Sequence, residues 1–86
     1  MKRIAVVGAL ISHPCVGQKE FNETISAYKG IVRGRMGIPI EQEDLAAISL
    51  VVQGDLDEIN ALTGKLGRLP GVIVKTAISK GLENVY

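Results

Sequence analysis

From Arg3 to Ile11 the chain is β-branched or small and apolar almost without interruption, and Leu45 to Val52 repeats that pattern. Strands that are apolar on both faces belong in the middle of a sheet, covered on both sides. Two other segments read differently. Ile31 to Ile38 alternates, placing Ile31, Arg33, Arg35 and Gly37 on one face and Val32, Gly34, Met36 and Ile38 on the other, which suits an edge strand. Val72 to Ser79 is also mixed, with Lys75 and Ser79 interrupting one face, and reads as the second edge.

Two helices separate these strands. Over Val16 to Tyr28 the positions Phe21, Ile25 and Tyr28 form one stripe, while Lys19, Asn22, Glu23 and Ser26 face away and Gly30 stops the helix. The second helix opens at Asp55, whose spacing to Glu58 matches a capping box, with Asp57 and Glu58 near its positive end. Ile59, Leu62, Leu66 and Leu69 are its core stripe; Lys65 and Arg68 occupy its last turn, and Pro70 and Gly71 end it.

The resulting order, β-α-β-β-α-β, predicts an α+β ferredoxin-like sandwich. Two right-handed crossovers give a four-stranded antiparallel sheet in the order 4-1-3-2, with both helices on one face. Two helices cover only one sheet face, yet the central strands are apolar on both. A second subunit is the expected cover, giving a homo-oligomer, either dimer or tetramer.

Composition narrows the function. The 86 residues make one domain, 1–86, small enough that it buries only roughly two-thirds of its unfolded surface. Hydrophobic residues are 47% and aromatics 3%, an aliphatic surplus that again calls for a partner. A net charge of +1 provides no footprint for direct nucleic-acid binding. The single cysteine, Cys15, excludes an internal disulfide, a four-cysteine zinc site and a self-contained iron–sulfur cluster, and fits a reducing cytoplasm. The first apolar run follows Lys2 and Arg3 but is too short to span a bilayer and lacks a signal-peptide cleavage site, so no membrane role is expected.

Two stretches carry a family resemblance: Gly34-Arg35-Met36-Gly37-Ile38-Pro39, and Ala61-Leu62-Thr63-Gly64-Lys65-Leu66-Gly67-Arg68-Leu69-Pro70-Gly71-Val72 continuing through Val74 to Lys80. They resemble the iron-only hydrogenase system regulators, in register from Arg3 to Lys80. The resemblance implies a non-enzymatic regulator whose fold is similar to ACT domains and to the C-terminal domain of the nickel-responsive regulator. It also implies sensing of a small molecule or metal at subunit interfaces, or contact with a hydrogenase-related protein, and assigns no fixed site residues. Only Met1 and Lys2 precede the first strand, so any effect on transcription is expected to pass through another protein.

Several residues are candidates for function. Ser12-His13-Pro14-Cys15 holds the only histidine and the only cysteine. An imidazole and a thiolate are half a transition-metal site, which a symmetric dimer can complete, although no acid flanks the pair in the sequence. The competing reading is an ordinary strand-to-helix loop turned by Pro14. The same loop lies at the carboxyl end of strand one, before a helix start, so Ser12, His13, Cys15, Val16 and Gly17, with the amides of residues 15 to 17, form a candidate small-ligand site. No cofactor is expected beyond that transition metal.

Arg33 and Arg35, on one face of an edge strand, are either an anion clamp or solvated charges guarding the edge, and Gly34 and Gly37 around Met36 suggest a bulge or a close approach. Gly64 and Gly67, with Asn60, fall on the side of the second helix away from its leucines, where glycine is costly unless a partner comes close. No Ser-His-Asp ordering, phosphate loop or carboxylate pair supports an enzyme. The acylphosphatase and copper-chaperone chemistries hosted by this fold lack their arginine, asparagine and Cys-x-x-Cys residues here.

Overall fold

A computed structural model describes residues 2–80. The elements are β1 (Arg3–Ser12), α1 (Pro14–Ser26), β2 (Val32–Ile40), a 3-10 turn (Glu41–Glu43), β3 (Leu45–Gly54), α2 (Leu56–Gly67) and β4 (Val72–Ile78). The sheet is antiparallel throughout in the order β2-β3-β1-β4, the expected 4-1-3-2 arrangement read from its other edge. β1 and β3, apolar on both faces, are the two central strands, paired from Arg3 opposite Gly54 to Ser12 opposite Leu45.

One face of this sheet meets the helices. Ala5, Val7, Ala9 and Ile11 of β1 and Ala46, Ile48, Leu50 and Val52 of β3 point into the core, against Phe21 and Ile25 of α1 and Ile59, Leu62 and Leu66 of α2. Tyr28 and Leu69 pack at its margin. The other face carries Val6, Leu10, Met36, Ile38, Val51 and Ile73, all between 41% and 62% exposed. Among the described residues no helix is long and apolar enough to cross a membrane.

Boundaries differ from the sequence reading where local chemistry intervened. α1 begins at Pro14 rather than Val16, because the missing N–H of proline costs nothing at a first helical position. It ends at Ser26, so Tyr28 and Gly30 lie in the turn beyond it. α2 starts with the expected capping box, in which Glu58 Oε1 accepts from the Asp55 amide at 3.2 Å. It closes at Gly67, which puts Arg68 at the cap.

β2 departs further. A register shift between Val32 and Gly34 leaves Arg33 as an extra, unpaired residue, so alternation breaks there. Val32 therefore packs against the core rather than sharing a face with Met36, and Ile31 is buried just before the strand. Arg33 and Arg35 are not two successive teeth of one regular face.

Candidate functional site

The carboxyl end of β1 is held from both sides by backbone. The Ser12 amide donates to the Gly71 carbonyl at 2.8 Å, and the His13 amide donates to the Asp44 carbonyl at 2.9 Å. The chain reverses here through three residues with positive φ: His13 (53°), Asp44 (50°) and Gly71 (75°). At Gly71 only glycine is comfortable, since a φ of 75° is a backbone conformation that L side chains rarely adopt. Asp44 and His13 tolerate the conformation through local hydrogen bonding, and the two side chains meet, with His13 Nδ1 2.6 Å from Asp44 Oδ2.

This scaffold opens a cleft of about 280 Å³ between the start of α1 and the α2–β4 turn. Ser12, His13, Val16 and Gly17 line one side, Leu69, Pro70 and Gly71 the other, and Glu20 adds a carboxylate. Gly17 leaves its part of the wall bare; a Cβ there would make ordinary contacts with Ile11 and the Pro70 carbonyl at 3.8 Å. Four of the five residues expected at a ligand site are thus brought together. Cys15 is exposed and lies outside the lining.

One expectation about this loop is corrected and one partner is added. The amides of residues 15 to 17 do not form an open anion cradle, because those of Val16 and Gly17 already donate to the His13 carbonyl at 2.9 and 3.3 Å. An acid does reach the histidine: Asp44, 31 positions away, arrives because β1 and β3 are antiparallel neighbours and Ser12 pairs with Leu45. Among the described residues no group of three or more His, Cys, Asp and Glu is placed to hold a metal ion. Any metal at His13 and Cys15 would need ligands from another molecule.

The remaining candidates are dispersed. Arg35 donates from Nη2 to Asn22 Oδ1 of α1 at 3.0 Å, which ties the edge strand to a helix. Met36 stands 62% exposed on the helix-free face. Asn60, Gly64 and Gly67 are exposed on α2, and a Cβ added at either glycine would meet nothing within 4 Å. Asp44, Glu20 and the Leu69-Pro70-Gly71 turn were not legible as site residues. The antiparallel pairing of β1 with its neighbours was the available signal, since it sets residues 12–13 beside 44–45 and 71–72.

Fold and site together define a small ferredoxin-like domain with an end cleft and an uncovered apolar sheet face. The chain belongs to the TM1266-like family, described as "Iron-only hydrogenase system regulator, putative", which it matches over residues 3–76. It is similar to the uncharacterized protein TM1266 from Thermotoga maritima, at 34% identity and TM-score 0.88, covering 93% of this chain and 100% of that one. The fold is shared with SnoaB, a cofactor-independent oxygenase from Streptomyces nogalater, at 12% identity and TM-score 0.57, covering 94% of each chain. No curated protein matches the sequence.

Proposed function

We propose that this chain is a non-enzymatic regulatory module of the iron-only hydrogenase system, cytoplasmic, which binds a small effector and transmits its state to a hydrogenase-related protein. The family match over residues 3–76 carries the reading. The end cleft supports the effector: its volume suits a ligand at the small end of the metabolite range, its walls are apolar at Val16, Leu69 and Pro70, and His13 and Glu20 supply orienting polar groups. The non-enzymatic reading draws on the lack of a nucleophile: the His13–Asp44 pair leaves Nε2 of the imidazole available, but among the described residues no hydroxyl or thiol is hydrogen-bonded to it. A net charge of +1 favours a protein over nucleic acid as the recipient of the signal. On α2 the clearance at Gly64 and Gly67, beside Asn60, admits close approach of that protein's backbone.

The test is deletion of the gene from a host that makes an iron-only hydrogenase, followed by complementation with the wild type and with Gly17→Trp, which fills the cleft. Hydrogenase activity or the level of its assembly proteins should change on deletion and be restored by the wild type alone. Unchanged hydrogenase in the deletion strain refutes the reading.

A second reading, metal binding or delivery through His13 and Cys15 across a subunit interface, draws support from Asp44. A carboxylate on one imidazole nitrogen is the usual device for orienting a metal-ligating histidine through its other nitrogen. Stoichiometric nickel, zinc or iron in native protein, abolished by His13→Ala or Cys15→Ala, would favour it.

A further inference from the structure

We infer that the helix-free sheet face is a self-complementary docking surface whose occupant is a second copy of this chain. Val6, Leu10, Met36, Ile38, Val51 and Ile73 stand 41–62% exposed on it, so four strands contribute to one continuous apolar surface. With strands about 4.8 Å apart and about 3.3 Å per residue, the face measures roughly 19 by 26 Å, near 500 Å² in plan for each copy. Two copies face to face cover about 1,000 Å² in plan, and side-chain relief raises the accessible area into the range of specific interfaces. A monomer seldom leaves such a patch in water.

Relief and charge point to the same occupant. Gly8, Ala47 and Ser49 floor a trough of about 340 Å³, walled by Met36 and Ile38 on one side and Leu10 and Ile73 on the other. A surface that carries both trough and ridges can interdigitate with a copy of itself about a two-fold axis, the commonest symmetry of soluble oligomers. Across the paired rows of the face Lys75 is the charged residue and no carboxylate is present, which gives a strongly charged partner nothing to match. Lys75 belongs to the edge strand β4, opposite Gly8, so its ammonium can stay in solvent at the rim while the rows inside it close. The interface leaves α1, α2 and the end cleft free, and the regulatory reading stands whether or not this one does.

The test is sedimentation of the full chain at micromolar concentration, on the wild type and on Leu10→Glu, Ile73→Glu and Val16→Glu. The wild type should sediment as a dimer. Leu10→Glu and Ile73→Glu, on two different strands of the face, should each weaken self-association by about a hundred-fold, since an unpaired charge is then enclosed. Val16→Glu, at a residue 79% exposed on α1 in the opposite layer, should leave the dimer intact. A second readout covers variants that fail to fold: in the wild type, peroxide should oxidise Met36 several-fold more slowly at high protein concentration than at concentrations where the dimer dissociates. A monomeric wild type, a dimer that survives both face variants, or Met36 oxidation independent of protein concentration overturns the inference.

Discussion

Gly54 closes β3 where, among the described glycines, an added side chain meets the tightest packing. A Cβ built there would lie 2.9 Å from Ile31 Cγ2, 3.3 Å from Ile31 Cβ and 3.2 Å from Glu58 Oε1. Ile31 is 6% exposed and anchored, its carbonyl accepting from the Gln53 amide at 2.8 Å, while Glu58 completes the cap of α2. Gly54→Ala must therefore push a buried isoleucine or loosen a cap. Overpacking of this kind costs about 1–3 kcal/mol. Loss of glycine's freedom in the unfolded chain returns about 0.4–1 kcal/mol, leaving a net destabilisation of about 1–2 kcal/mol. Against a total of about 4–13 kcal/mol for a chain of this length, that is a visible share.

Urea unfolding followed by circular dichroism, at fixed protomer concentration, should place the midpoint about 1–2 M lower, taking a slope of about 1 kcal/mol per molar urea. The steric cause has its own check: in an Ile31→Ala background, where the Cγ2 methyl at 2.9 Å is gone, adding Gly54→Ala should cost clearly less than it does in the wild type. An unchanged or higher midpoint in the single variant, or full additivity in the double, refutes the reasoning.

Alanine at Gly64 and Gly67 should act in the opposite direction, since the added methyls meet open space; the double variant should melt several degrees higher, at up to about 1 kcal/mol per site. Its self-association should be unchanged, and a fall in dimer content by sedimentation would place α2 rather than the sheet in the interface. Asp55→Ala removes one side of the capping box and should lower stability by about 1 kcal/mol in the same urea assay. Asp44→Ala loses the exposed pair with His13 and leaves a β-carbon at positive φ, for a combined loss of about 1–2 kcal/mol, whereas Asp44→Gly should recover most of it. Equal stability of those two variants would mean that the turn carries no backbone strain.

How much of this was legible follows from which interactions are local. The double-sided apolar runs of β1 and β3 mark them as the two central strands, in agreement with the order that two right-handed crossovers impose, although within one chain only their helix-facing side is buried. The capping box from Asp55 to Glu58 was legible because its two partners are three residues apart. The bulge was legible only in part: Gly34 signals one, but simple alternation assumes an unbroken register, and the extra residue at Arg33 exchanges the faces of everything before it. Pro14, compatible with a turn and with a first helical position, is the first residue of α1. At the site, the loop Ser12 to Gly17 was found, but its opposite wall and the Asp44 partner come from residues remote in sequence that only strand pairing assembles. The occupancy of the Val16 and Gly17 amides depends on the positive φ of His13, which its residue type does not announce.

The first strand of the chain is bonded on one side to β3 and on the other to the last described strand, with Ile11 opposite Val72 and Ala5 opposite Ile78. Its second partner is therefore synthesised more than sixty residues after it. On a ribosome, β1 precedes both partners, can pair with β3 first and keeps one open edge until β4 clears the exit tunnel, so the native sheet cannot close until nearly the whole described sequence is available. A nascent chain arrested before Val72 should be the form most exposed to chaperones and most prone to aggregate. The same wiring fastens β1 between two strands made later, which protects its backbone on both edges from a protease.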